Sequence, residues 1–361
     1  MRRWHSLHIA YHDPDRDGLL LDAVRPALAG LGADGTDAYV LRHWRRGPHL
    51  RLNLRTDEVT WRKRIRPALV EAIGGYLRDH PSTTVVDQTA ALERHRVLAL
   101  QEYERGPLTP WYPDNSIVDA EYDSRRHVLG SDAAVEVLTD FYRDGNPLLF
   151  EMLDHVRSGG DRRDGVAMHL MLTAAHTAPG PLTSGFVAFR SHAEGFLGVC
   201  AHTGADQVRT AFDTAWRDRA DEVVERVRGV VRALDDPAAP AVPFVREWAD
   251  LLTRYRPRFA ELVTDGTLAG PPPAPRRSPG IAHSELHRLM FDHESYRTRV
   301  LTRPDFLHYR AALNHTYLHL TRLGLAPMDR FRAGHLLANG VEAVYDVSAL
   351  ALVRNLVAEV P

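Results

Sequence analysis

Cysteine and lysine are nearly missing from this chain. Cys200 stands alone, so no intramolecular disulfide, cysteine-rich zinc site or CxxC redox pair can be built from it. Lys63 is the single lysine among 45 basic residues. A Schiff base or a P-loop would have to use it, and it stands between Arg62 and Arg64 on an expected surface helix. No run approaches the ~20 apolar residues that span a bilayer. Met1-Arg2-Arg3-Trp4-His5 is no signal-peptide start, so no membrane partner is expected and the cytoplasm is the expected location. A net charge of -2 gives no global field for nucleic acid, which is not an expected partner. GxSxG, HExxH, GxGxxG and Walker motifs are all absent.

What is present is a soluble globular composition, 44% hydrophobic and 25% charged over 361 residues. Trp4, Leu7, Ile9 and Tyr11 predict a first strand, and Leu19–Leu31 a helix ending near Gly32. Leu41–Leu54 alternates as two strands around a Gly47-Pro48 turn. A helix over Val59–Leu77, bent at Pro67, follows. The order strand, helix, strand, strand, helix suits an antiparallel α+β layer. From Ala90 on the pattern is helical, over 90–104, 132–143, 147–156, 166–176, 206–234, 303–323, 328–339 and 347–360. Ser184–Ala201 begins strand-like and turns helical. Pro/Ala-rich segments interrupt at 235–243 and 266–280.

Four stretches carry candidate chemistry. Arg42, His49 and Arg51 are expected on one surface of the hairpin, either as a solvated face or as a site for an anionic or carbonyl-rich ligand. Ser191-His192-Ala193-Glu194 lies among phenylalanines, where burial shifts pKa values. It reads either as an acid/base pair or as a hydrogen-bonded core histidine. Arg310, Asn314 and Tyr317 share one stripe of a late helix, which is a bundle surface or the wall of a site. His283 and His287 have the i, i+4 spacing of a zinc helix, but no third ligand is evident and no metal is expected.

Taken together, Trp4–Tyr11, the Arg42…Gly47-Pro48-His49-Leu50-Arg51-Leu52 hairpin and the Asn314…Arg322 helix resemble the stand-alone relatives of the lantibiotic dehydratase elimination domain. The resemblance covers most of the chain. It implies one α+β unit over 1–361, with a small antiparallel sheet in a ferredoxin-like N-terminal portion (1–80), a mainly helical remainder and a Pro-rich loop at 266–280.

Glutamate-eliminating members carry Arg-Tyr-Gly-Gly and a late His-Met-x-x-Asn-Arg. Here the matching stretches read His127-Val128-Leu129-Gly130 and Tyr317-Leu318-His319-Leu320-Thr321-Arg322. Ser191–Glu194, Asn314–Tyr317 and Leu323–Arg330 are similar instead to the thiopeptide pyridine synthases. That branch implies a formal [4+2] aza-cycloaddition between two dehydroalanines of a modified precursor peptide. Water and the leader peptide are then lost as a pyridine closes the macrocycle. No cofactor is implied, and the implied partners are the leader-bearing precursor and other enzymes of the pathway. The resemblance places Tyr317, His192, Glu194, Asn314 and Ser191 in catalysis. It places Arg42, His49, Arg51, His315, Ser284 and Arg322 on the substrate. A peptide aminoacyl-tRNA ligase, a glutamate-eliminating domain and a non-catalytic precursor scaffold are the competing expectations.

Overall fold

The computed structural model describes residues 1–177, 182–200, 204–268 and 284–358. The chain divides into two compact units. One is Met1–Gly160 with Thr321–Gly324; the other is Asp161–Leu320 with Leu325–Pro361.

The first unit is built on a four-stranded sheet of β1 (Arg3–Ala10), β2 (Ala38–His43), β3 (His49–Thr56) and β4 (Ser116–Ala120). The strand order is β2-β3-β1-β4 and every neighbouring pair is antiparallel. β3 therefore lies between β1 and β2, the split arrangement of a ferredoxin-like layer. Leu7 and Ile9 face Leu52 and Leu50, and Val40 faces Leu52 from the other side. All are buried, so one surface of the sheet is a continuous apolar layer.

A short helix, α1 (Arg25–Gly30), follows a π-helical turn at Leu19–Val24, and the chain turns away from it two residues later at Gly32, whose φ of +58° suits glycine. The helix expected to bend at Pro67 is instead a π-helical turn, Trp61–Ile65, leading into α2 (Arg66–Asp79). Pro67 sits in the first turn of α2, where a missing N–H costs no hydrogen bond. Leu69, Ile73 and Leu77 form the buried stripe of α2, which packs against β4. Next come α3 (Gln88–Gln101), α4 (Asp132–Asp144) and α5 (Asn146–Arg157).

β4 was not evident from the sequence. Ile117 and Val118 are the only large apolar side chains in its five residues, and its place at the sheet edge asks for little more.

The second unit is helical among the described residues: α6 (Arg163–Thr177), α7 (Val187–Val199), α8 (Ala205–Asp235), α9 (Val245–Thr264), α10 (Glu285–Asp292), α11 (Pro304–Leu323), α12 (Pro327–Tyr345) and α13 (Ala349–Ala358). The last residues of α11, Thr321–Leu323, belong with the first unit. Gly165 to Ala175 is buried without a break, so α6 is the central helix against which α8, α9 and α12 pack. Gly340 lets α12 approach α8 closely: a Cβ there would lie 2.8 Å from Val223 Cγ1.

The strand-like opening expected at Ser184 is helical instead. Phe186, Phe189, Ala193 and Leu197 make one buried helical stripe. No helix was expected at α9, where Pro257 interrupts the pattern. Yet Trp248, Leu251, Leu252, Tyr255, Phe259 and Leu262 share a buried face. No single helix among the described residues is long and apolar enough to cross a membrane. The Pro-rich stretch expected at 266–280 lies outside the described residues from 269 on.

Candidate active site

Two clusters of imidazoles stand out, one in each unit. In the second unit, α7 turns its apolar stripe toward α12 and leaves Ser191 and His192 on its polar side. His192 Nδ1 lies 2.9 Å from the Tyr317 hydroxyl of α11. The two rings meet at 62° with centroids 5.3 Å apart. The Arg330 guanidinium sits over the Tyr317 ring at 5.0 Å and over the Phe331 ring at 4.9 Å.

Burial lowers the His192 pKa to about 4, with the charges of Arg330 and His287 adding to it. Burial raises the Tyr317 phenol well above its ordinary value, with Arg330 opposing. At neutral pH the pair is a neutral imidazole against a protonated phenol. Such a pair exchanges a proton without creating a lasting charge. Both residues remain only half-buried.

Ser191, next along α7, pairs with a second imidazole: its Oγ lies 3.0 Å from His287 Nε2 of α10. Glu194 accepts two hydrogen bonds from Arg209, at 3.1 and 2.8 Å. Burial alone would push the Glu194 carboxyl up, but Arg209 outweighs it and holds the group below the usual range. Glu194 is thus ionised and clamped.

In the first unit, the other surface of the sheet carries His8, His43, His49 and Arg51. His8 and His49 stack at 4.6 Å, and His43 and His49 lie 5.3 Å apart. His8 Nδ1 is 3.1 Å from the Tyr112 hydroxyl, and His49 Nδ1 is 2.8 Å from the Gly47 carbonyl. The Glu104 carboxylate, 1% exposed, sits among Arg45 at 3.2 Å, His43 at 3.4 Å, Arg51 at 4.0 Å and Arg125. Asp123 lies 3.5 Å from Arg51. Burial drives His8 down to about 2, with His49 and Arg51 adding to it. His43 and His49 are likewise held well below their ordinary value, by burial first. A cleft of about 500 Å³ also opens in this unit, lined by His12, Val85, Trp111, Tyr112 and Asp114 among others. None of Ser191, His192 and Tyr317 lines it.

Residues 4–341 match the model for the C-terminal part of lantibiotic biosynthesis dehydratases. The chain belongs to that dehydratase C-terminal family. Among solved structures, the pyridine synthase TbtD from thiomuracin biosynthesis is 34% identical with a TM-score of 0.77, over 96% of this chain and 100% of that one. TsrL is 20% identical with a TM-score of 0.69, over 99% of both chains, and shows the shared fold. No curated protein sequence matches the chain.

For this member of the dehydratase C-terminal family, the structure brings together Ser191, His192 and Tyr317, keeps Glu194 and Asn314 one helical turn from them, and places Arg42, His49, Arg51 and Arg322 in the other unit. Arg42 does not share a surface with His49 and Arg51. It pairs with Leu50 in the register, so it lies on the opposite, apolar side of the sheet. There it donates to Asp17 at 2.6 Å and to the Arg322 carbonyl at 2.9 Å. His49 and Arg51 are packed inside the polar cluster rather than presented to a ligand.

Arg322, expected on the substrate, is 2% exposed. It donates to the Val40 carbonyl at 2.9 Å, the Tyr142 carbonyl at 3.0 Å and the Asn146 side chain. Its role is to tie β2 to α4 and α5. His315 holds the Ala311 carbonyl at 2.8 Å and meets the Phe259 ring at a tilt, 4.7 Å between centroids, so it is turned toward α9. Asn314 is exposed on α11, and Ser284 is buried at the start of α10.

His283 lies outside the described residues, and His287 is engaged with Ser191. No group of three metal-capable side chains occurs among the described residues. The sequence reading gave no role to Arg330, Arg209 or Glu104. Each acts on a residue at least thirteen positions away, and no local spacing signals that.

Proposed function

We propose that this chain is a thiopeptide pyridine synthase. It joins two dehydroalanines of a modified precursor peptide by formal [4+2] aza-cycloaddition, with loss of water and of the leader. The observation that carries this reading is the full-length likeness to the TbtD pyridine synthase at 34% identity. The hydrogen-bonded His192–Tyr317 pair supports it with suitable chemistry.

The amide before one dehydroalanine must pass a proton from nitrogen to oxygen to become a 2-azadiene. Tyr317, held protonated, passes its proton to neutral His192 as it takes the amide proton, and the relay returns one to the iminol oxygen. The hydroxyl so formed leaves as water when the pair protonates it and takes back a proton from the neighbouring ring carbon, whose electrons form the new ring double bond. Proton transfer of this kind contributes ~10²–10⁴-fold. Alignment of the two alkenes contributes ~7–11 kcal/mol in favourable systems. Arg330, over the Tyr317 ring, favours negative charge on the phenol oxygen as the proton departs. Asn314, exposed one turn from Tyr317, orients the peptide backbone.

The substrate is the leader-bearing precursor, and the upstream partners are the enzymes that dehydrate it. Incubating the purified chain with a dehydrated linear precursor tests the reading. A mass loss equal to leader plus water is expected, and an unchanged peptide would overturn it.

A further inference from the structure

The Ser191–His287 pair has no task in the closure just described. Its build is that of a relay. The His287 ring is nearly buried, and its Nε2 lies 3.0 Å from Ser191 Oγ. Phe291 stacks along it at 5.7 Å. Gly195, one turn beyond Ser191, presents no side chain, and a methyl there would touch Cε1 at 3.4 Å. The ring is thus fixed, while its Nδ1 makes no hydrogen bond among the described residues.

Ser191 and His192 are adjacent on α7, so the two pairs leave the helix about 100° apart. The His287 charge also lowers His192. A proton on one imidazole therefore disfavours a proton on the other, which suits two steps taken in turn.

We propose that Ser191 and His287 form a second relay, separate from His192–Tyr317, which serves the release of the leader peptide. The inference rests on the pyridine synthase reading and adds a residue to it. In the step, the bond between the ring carbon and the leader's amide nitrogen breaks, and its electron pair goes to nitrogen. A proton leaves the neighbouring ring carbon, and its electrons complete the aromatic ring. His287 takes that proton through Ser191 Oγ and returns it by the same route to the departing nitrogen. The step is redox-neutral and needs no co-reactant. Ser191 is the group facing the peptide, and His287 positions and charges it.

The test follows three species by mass in reactions of the full chain with a dehydrated linear precursor. They are the starting peptide, a ring-closed species that has lost water but kept its leader, and the macrocycle with free leader. His287→Gln is expected to slow leader release ~100-fold. Precursor consumption should slow by less than about 10-fold, so the leader-bearing species accumulates. Ser191→Ala, a smaller change that keeps the fold if His287→Gln does not, should shift the partition the same way. Tyr317→Phe should slow consumption without accumulation. Macrocycle formation by His287→Gln and Ser191→Ala with the wild-type partition would overturn the proposal. A wild-type chain that leaves the precursor untouched would overturn the underlying reading instead.

Discussion

The two imidazole clusters are made of the same parts and differ in how completely those parts are used. In the first unit, His8 stacks on His49, His43 meets His49 at a tilt, and the three lie among Tyr112, Arg45, Arg51, Arg125, Glu104 and Asp123. In the second unit, His192 and His287 each meet one hydroxyl, and His192 and Tyr317 keep part of their surface open. Both environments depress imidazole pKa values, by burial first. A depressed pKa alone therefore does not mark a reacting group. Charge separates the two: the first cluster packs Glu104, Arg45, Arg51 and Arg125 among its imidazoles.

The largest effect that would sharpen this contrast is on activity. Tyr317→Phe should reduce ring closure by ~10²–10⁴-fold. It should cost only about 1 kcal/mol of stability, the worth of one hydrogen bond. Initial rates and urea unfolding of the same sample check both halves. A comparable loss of rate from Arg51→Met, with the fold intact, would break the comparison.

The mirror experiment is on Arg322. Arg322→Met leaves the Val40 and Tyr142 carbonyls and the Asn146 side chain without their donor in a closed interior. A loss of ~3–5 kcal/mol is expected in urea unfolding of the first unit.

Much of this was legible in the sequence. The hairpin, the first strand, the α+β class and most long helices follow from periodicity. The Ser191–His192 stretch stood out as polar residues in an apolar setting, and Tyr317 as part of a polar helix stripe, each with a purely structural reading beside it. Strand register was not legible. Arg42 and Arg51 sit one residue out of phase across the turn, and only the pairing Arg42↔Leu50 decides which side each takes. Arg322 was expected on the substrate from the family resemblance alone, and nothing in its local sequence signals that it is buried. Partners such as Arg330 and His287 depend on which helices meet, and no local pattern encodes that.

Acid should weaken the buried imidazole cluster of the first unit next. The imidazoles of His8, His43 and His49 are neutral in the folded chain, but unfolded ones gain protons below the ordinary value of 6.5. The unfolded state then binds more protons. Stability is complete above pH 6.5 and falls as pH drops toward the folded value, about 2 for His8. The slope is up to ~1.4 kcal/mol per pH unit for each histidine. Melting curves at pH 7 and 5 should show the first unit loosening, and a melting temperature unchanged between them would contradict the buried neutral cluster.

The smallest effect is expected at Glu194. Arg209, its partner, is largely exposed, so Glu194→Gln should change stability by at most ~1 kcal/mol. Ring closure should fall less than about 10-fold, because a clamped carboxylate transfers no proton. A loss as deep as that of Tyr317→Phe would place Glu194 in the chemistry after all.

The pH dependence of ring closure tests the central claim most directly, in short assays after a pH jump that outrun acid unfolding. With His192 as the neutral acceptor, the wild-type rate should stay level from pH 8 downward and fall with a midpoint near pH 4. The Tyr317→Phe rate should lie at least ~100-fold lower at every pH. A midpoint at the ordinary 6.5, or a Tyr317→Phe rate within about threefold of wild type, would contradict the pair as the proton relay.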